Sequence, residues 1–148
     1  MATYKGIQSS RAKLATSAFG NAWRDSNKVT PSAVLVAADA VVLMEIPAGV
    51  RLETLRYYSG DFDTGTALVY DIGYRTKLPD GTQTSLAYFA DDATGLRAAT
   101  TTWQEIVFEP VQFNEPVQIV LIPSVAPAGT TGTPSISVQA TGAMVGVA

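Results

Sequence analysis

Apolar and polar residues alternate with a period of two along much of this chain. In residues 66–74, Leu68, Tyr70, Ile72 and Tyr74 fall on one side of an extended backbone, and smaller or polar residues fall on the other. This alternation is typical of a β-strand that buries one face. We therefore predict a half-buried strand in this segment.

Other apolar segments are equally short and are separated by Gly, Pro or Asp. They predict strands over residues 34–37, 40–46, 50–58, 103–108, 117–122 and 135–147. The sequence offers no crossover helices of the kind that connect parallel strands. The predicted fold is therefore all-β, an antiparallel, jelly-roll-like β-sandwich with an extended N-terminal arm.

One predicted strand changes phase part-way along. Val50 and Leu52 are the apolar set at its start, whereas Leu55 and Tyr57 are the apolar set further on. A single extra residue would shift the alternation in this way, so we predict a β-bulge near Thr54.

Three connecting segments carry their own predictions. Residues 61–65 predict the turn of a hairpin, because Asp, Thr and Gly favour turns. Residues 85–93 predict a short helix, since Leu86 and Phe89 are three apart and a glycine follows. Residues 123–134 are rich in Pro, Gly and Thr, and a loop of this length usually binds something or is mobile.

Charge divides the chain into two parts. Residues 1–33 carry five basic groups and one acidic group, whereas residues 34–148 carry five basic and twelve acidic groups. The first part also shows no sustained hydrophobic period. We therefore predict a basic N-terminal arm over residues 1–33 and a β-sandwich domain over residues 34–148.

A basic arm on an acidic body has three interpretations. It folds back on its own body, it lies on an acidic neighbour, or it binds nucleic acid. The third is the weakest, because the charges are too widely spaced for a dense basic patch. The residues predicted to bind a neighbouring subunit are Lys5, Arg11, Lys13, Trp23, Arg24 and Lys28.

The composition restricts the available chemistry. The chain has no Cys and no His, which removes thiolate nucleophiles, imidazole bases, disulfides and almost every zinc site. No apolar run reaches the roughly 20 residues that cross a bilayer. We predict no catalytic residues, no cofactor, no metal, and neither nucleic acid nor membrane as a partner.

One motif argues for an enzyme. Asp63-Thr64-Gly65 spells the active-site triplet of aspartic proteases, in which two aspartates share a proton and activate water. The chain has no second triplet, so a protease would have to be a dimer with two copies of Asp63. The spacing of Asp61, Asp63 and Gly65 also suggests a calcium loop, although its further ligands are missing.

The segment Ile46-Pro47-Ala48-Gly49-Val50-Arg51-Leu52 resembles a segment of small head proteins of tailed bacteriophages. Those proteins commonly continue with a strand, a Ser/Asp-rich turn, and a Gly-Thr before the next strand. This chain is similar, with a Ser/Asp-rich turn at residues 59–63, Gly65-Thr66, and then residues 68–74. Tyr88-Phe89-Ala90 and the N-terminal residues 1–6 also fit the family.

The resemblance implies a jelly-roll decoration, or cement, protein on the outer surface of a phage capsid. It implies two partners, the major capsid protein and neighbouring copies of the same chain in a dimer or trimer. The alternatives are another virion part, such as a head-fibre base, collar or tail component, and the dimeric aspartic protease that uses Asp63.

Overall fold

The computed structural model describes residues 1–5, 22–130 and 132–146, without the side chain of Lys5. Ten strands lie in this part of the chain. They are β1 (Thr3–Lys5), β2 (Ala22–Val29), β3 (Ala40–Ile46), β4 (Val50–Ser59), β5 (Val69–Thr76), β6 (Ser85–Ala93), β7 (Gln104–Ile106), β8 (Val111–Gln112), β9 (Val117–Val125) and β10 (Ile136–Met144). A single 3₁₀ turn, Gly95–Arg97, is the only helical element in the described residues.

Two sheets pack face to face. The first has the order β1-β3-β9-β5-β6, and the second has the order β2-β10-β4-β7, with β8 paired to β4. All pairings are antiparallel except that of β1 with β3. The predicted all-β antiparallel sandwich is confirmed.

The core lies between the sheets and is built from the alternating positions of each strand. It contains Leu52, Leu55, Ile72, Ile119 and Val138, all almost completely buried. Nearly every residue of the central strand β3 is buried, and so are Val117–Leu121 of its neighbour β9, which explains why these two segments read as continuous apolar runs.

The predicted bulge is confirmed. Thr54 pairs with Thr141 and Leu52 pairs with Gly142, so Glu53 is the extra residue of β4. The extra residue brings both Leu52 and Leu55 into the core although they are three positions apart.

The predicted helix over residues 85–93 is wrong, because these residues form the edge strand β6. Ile72 pairs with Ala90 and Tyr74 pairs with Ser85, so β6 carries a large bulge opposite β5. The bulge puts Phe89 into the core and leaves Leu86 exposed, and this irregularity disguised the strand as a helix.

The predicted strand over residues 34–37 is also wrong. Leu35 is buried, but the backbone turns here, with Ala38 at a φ of 67°. The Asp39 carboxylate accepts hydrogen bonds from the backbone N–H of Val36 at 3.0 Å and of Ala2 at 2.8 Å. These bonds satisfy donors that a strand would have paired with a neighbour.

The segment after β4 does not close a hairpin. β4 belongs to the second sheet and β5 to the first, so residues 60–68 cross from one sheet to the other. The prediction of a hairpin turn is therefore wrong, although the segment is a tight, acidic connection as expected.

Residues 22–29 lie in the second sheet and not in an arm. β2 pairs with β10 along eight residues, and the side chain of Asn27 donates a hydrogen bond to the carbonyl of Leu43 in the first sheet. The basic composition of residues 1–33 had assigned this segment to the arm, but its pairing with β10 makes it part of the sheet. Residues 6–21 of the predicted arm lie outside the described residues.

Candidate interaction surface

The side of the second sheet that faces away from the core carries polar and basic side chains in register. Because β10 lies between β2 and β4, its residues form three rows with theirs. The rows are Lys28–Ser137–Tyr58, Ser26–Gln139–Arg56 and Arg24–Thr141–Thr54. We call this surface, together with Trp103 beside it, the basic face.

Arg56 organises the centre of the basic face. Its Nε and Nη2 atoms donate to Oε1 of Gln139 at 3.0 and 2.6 Å. Its Cζ atom lies 5.1 Å from the centroid of the Trp103 ring, within the range of a cation–π interaction. The Tyr58 ring lies 6.1 Å from that of Trp103, centroid to centroid.

The aromatic side chains of this cluster are accessible. Trp103 is 39% exposed and Tyr58 is 42% exposed. Tyr, Trp and Arg are the residues that most often supply the binding energy of protein interfaces. The cluster therefore has the composition of an interface centre, and the hydrogen bonds of Arg56 hold it in place before any partner binds.

Two shallow grooves adjoin the cluster and share Gln139. One, of about 390 Å³, is lined by residues that include Ser26, Lys28 and Trp103. The other, of about 320 Å³, is lined by residues that include Arg24, Arg56 and Thr141. Grooves of this size next to exposed aromatic rings can receive protruding side chains of a partner.

The basic face has an excess of positive charge, with Arg24, Lys28 and Arg56 against the single carboxylate of Glu105 in the groove beside Arg56. Arg51 at its margin is neutralised by Glu53, with an Nη2–Oε1 distance of 2.6 Å. Within residues 1–5, 22–130 and 132–146, neither Arg24 nor Lys28 makes a salt bridge. These two cations are available for an acidic partner.

The six residues predicted from the sequence to bind a partner do not lie together. Arg24 and Lys28 lie on the basic face, on alternate positions of β2. Trp23 points the other way and is buried in the core, only 8% exposed. Lys5 belongs to β1, and Arg11 and Lys13 lie outside the described residues.

Asp63 is buried, and its carboxylate holds loop backbone. Oδ1 accepts from the N–H groups of Gly65 at 3.0 Å and Ala128 at 2.8 Å, and Oδ2 accepts from that of Leu68 at 2.7 Å. These hydrogen bonds hold the pKa of Asp63 below its ordinary value, and the bond from Leu68 has the largest effect.

This arrangement differs from both chemistries that the motif suggested. A protease aspartate must share a proton with its partner and contact water, whereas both oxygens of Asp63 accept backbone hydrogen bonds. The same bonds occupy the oxygens that a calcium ion would need. Asp63 instead joins residues 60–68 to the loop after β9, through Ala128.

A second acidic group lies on the first sheet. The carboxylates of Asp71, Asp91 and Asp92 come within 4.8 Å of one another. An oxygen of Asp71 accepts a hydrogen bond from the backbone N–H of Asp92 at 2.8 Å. Asp92 has a φ of 50°, so this bond secures a turn of the backbone.

The fold is similar to those of two solved chains. One is from the capsid of Ralstonia phage GP4, with a TM-score of 0.72 and 14% identity over 96% of this chain and 98% of that one. The other is from the capsid asymmetric unit of cyanophage Pam1, with a TM-score of 0.67 and 18% identity over 93% of this chain and 97% of that one. These likenesses establish the fold.

No family model matches the chain, and no curated protein matches it in sequence. At identities of 14% and 18% the relationship is one of backbone architecture, which the strand pattern preserves and the individual residues do not. Among the described residues, no helix is long and apolar enough to span a membrane.

We predicted the binding residues within the first 33 positions, and this prediction missed the part of the basic face that lies on β4, on β10 and at Trp103. Arg56 and Gln139 are each a single polar position in an alternating strand, and they are 83 residues apart. One feature of the sequence could have pointed to this surface. After the bulge in β4, Arg56 and Tyr58 occupy the alternate positions that face solvent. Only the pairing of β4 with β10 brings these positions next to β2.

Proposed function

We propose that this chain is a decoration, or cement, protein on the outer surface of a tailed-phage head, where it bridges major capsid subunits. The observation that carries the proposal is the end-to-end correspondence with chains of two phage capsids. In both cases nearly all of this chain matches nearly all of the other. The likeness is therefore to whole chains of similar size and not to one module of a larger subunit.

The surface of the molecule supports a binding role. The basic face presents Arg56, Trp103 and Tyr58 in a preformed cluster flanked by two grooves. Preorganised aromatic and Arg side chains bind proteins with a smaller loss of conformational entropy. Asp63, the residue that suggested catalysis, is engaged in holding two loops together.

Stabilisation of the head would follow from linkage. A protein that binds the assembled shell, and not its separate subunits, lowers the free energy of the shell in proportion to the logarithm of its concentration over Kd. Many copies on one particle add avidity when each copy touches more than one subunit. This mechanism needs no catalytic residue.

The fold changes which residues of the N-terminal segment we propose as contacts. Arg24 and Lys28 contribute from the basic face, and Lys5, Arg11 and Lys13 remain proposed contacts of the first 21 residues. Trp23 is withdrawn from the contact set, because it packs in the core of the domain.

Binding to phage heads tests the proposal. Heads assembled from a phage genome that lacks this gene are incubated with the purified chain, and bound copies per major capsid subunit are counted on a gel. We expect a high and regular copy number, and a higher melting temperature of the decorated heads. Cryo-EM of the same particles locates the bound copies.

Two results would contradict the proposal. Absence of binding to such heads excludes a decoration role. A copy number of only a few per particle, with density at the neck or tail, points instead to a collar or tail component.

A further inference from the structure

A group of three carboxylates lies on the outer side of the first sheet, opposite in sign to most charged groups of the basic face. Because Ile72 is in the core, its neighbour Asp71 points away from the second sheet, and Asp91 and Asp92 lie beside it. We call these three carboxylates the acidic corner. The basic face, with Arg24, Lys28 and Arg56, lies on the other side of the core.

A single molecule cannot bring these two surfaces together, because the packed core separates them. A second copy can. We propose that the basic face of one copy docks against the acidic corner of the next, so that copies join head to tail. The inference rests on the proposed function, in which neighbouring copies are partners, and it names the surfaces that meet.

Charge decides the symmetry of this contact. In a two-fold contact each surface meets its own equivalent, so the basic face would oppose another basic face and repel it. A head-to-tail contact places cations against carboxylates at every interface. Such contacts close into a ring when the rotation between copies permits, and otherwise continue as a chain.

The local geometry favours the same pairing. The groove between Lys28 and Trp103 is open and is lined by both polar and apolar side chains, so an aspartate side chain can enter it beside Lys28 and remain hydrated at the rim. The hydrogen bond from the backbone N–H of Asp92 to Asp71 holds the Asp71 carboxylate and the turn of the acidic corner in place. Both surfaces are therefore ordered before they meet, which reduces the entropic cost of contact.

Sedimentation of the full chain tests the contact. At low ionic strength we expect the wild-type protein to form oligomers, and we expect these to weaken in high salt because exposed charges are screened. The Arg24→Glu/Arg56→Glu variant should raise the apparent Kd of self-association at least about tenfold. Thr82→Glu adds an acidic group at an exposed residue outside both surfaces and is the control, expected to behave as wild type.

A second variant tests the same contact from the acidic side, so the test does not depend on whether the first variant folds. Asp91→Lys/Asp92→Asn neutralises the acidic corner, because the added lysine balances Asp71, and Asn tolerates the positive φ of residue 92. Each variant alone should be monomeric. A mixture of the two should associate again, because one retains the acidic corner and the other retains the basic face.

The outcomes separate this inference from the proposed function. A wild-type chain that stays monomeric to millimolar concentration in low salt overturns the inference, and so do variants that keep wild-type association. Failure of the wild-type chain to bind undecorated heads counts against the proposed function only. The contact between copies is supported when both single variants dissociate and their mixture restores association.

Discussion

At the scale of single residues, Asp63 shows how one side chain can be assigned the wrong chemistry from its neighbours in sequence. The Asp-Thr-Gly triplet supplies the same turn-forming residues to a protease site and to a structural loop. The difference lies in what the carboxylate contacts. Here backbone N–H groups from two separate loops point at it, and one of them, from Ala128, is 65 residues away.

Replacing Asp63 by Asn should destabilise the fold and change its dependence on pH. The folded-state pKa lies below the ordinary value of 3.8, so the carboxylate contributes stability above that value and loses it as pH falls through the folded pKa. For the wild type we expect Tm to fall as pH drops below about 4. At neutral pH, Asp63→Asn should lower Tm by at least about 5 °C.

The variant should also show a flatter fall of Tm with decreasing pH than the wild type, because the titrating group is gone. Asp80→Asn is the control, since Asp80 is exposed and its loss should leave Tm nearly unchanged. Thermal unfolding followed by circular dichroism at a series of pH values measures both effects. Equal pH profiles for wild type and Asp63→Asn would refute this role.

Ser59 is a second residue with an unusual environment. Its hydroxyl oxygen is buried and has no hydrogen-bond partner in the part of the chain that the structure describes. Because a buried polar atom without a partner is unfavourable, Ser59→Ala should leave stability unchanged or raise it by up to about 1 kcal/mol. Chemical denaturation measures the change.

Thr100 provides the matched comparison for Ser59. Its hydroxyl accepts a hydrogen bond from the backbone N–H of Ser59 at 2.8 Å. Thr100→Ala removes an acceptor from a buried donor, so it should lower stability by about 1 kcal/mol. A loss of stability in Ser59→Ala as large as that in Thr100→Ala would show that the Ser59 hydroxyl is in fact bonded.

At the scale of elements, the bulge in β4 determines which residues reach the basic face. If β4 continued as a regular strand through Glu53, the alternation of Val50 and Leu52 would put Leu55 on the outer side. The bulge keeps Leu52 and Leu55 in the core and sends Arg56 and Tyr58 to the outer side. A local irregularity therefore positions the cluster around Trp103.

Gly142 permits this bulge. A Cβ atom at residue 142 would lie 2.2 Å from the carbonyl oxygen of Arg51, which is backbone and cannot move aside without shifting β4. Gly142→Ala should therefore destabilise the domain by about 2 kcal/mol or more. Gly129→Ala is the control, because a Cβ there would approach only the Thr64 hydroxyl, at 3.1 Å.

Denaturant unfolding of both glycine variants distinguishes the two positions. A change in midpoint for Gly142→Ala without a change in slope reports lost stability. Two variants with equal, small effects would mean that β4 and β10 separate easily at the bulge, contrary to the close pairing seen there.

At the scale of the whole molecule, the domain begins before residue 33. β2 covers one edge of β10 along eight residue pairs and buries Trp23 and Val29. β1 adds only three residue pairs, at the edge of the first sheet. The two N-terminal strands thus contribute very unequally to the fold.

Truncations should reveal this inequality. A chain that starts at residue 34 should be unfolded or aggregated, because it lacks β2 and exposes an edge of β10. A chain that starts at residue 22 should keep a cooperative unfolding transition. Circular dichroism and size-exclusion chromatography of both chains measure the difference. If the chain that starts at residue 34 is folded, the domain boundary predicted from charge is correct.

The sequence alone determined the class of structure and much of its core. Alternation predicted the strands that became β4, β5 and β10, because a strand with one buried face must repeat every two residues. Short continuous apolar runs predicted β3 and β9. Alternation also located the bulge in β4, since a phase change is visible within a single strand. These features depend on interactions between near neighbours in the chain.

Tertiary structure decided the rest. Whether β4 and β5 form a hairpin, whether β2 is arm or strand, and which residues share the basic face all depend on pairing between distant segments. Arg56, Gln139 and Trp103 carry no common signal in the sequence and meet only because β10 lies beside β4 and Trp103 packs against Arg56. Long-range pairing is set by the burial of the whole core, which no local pattern contains.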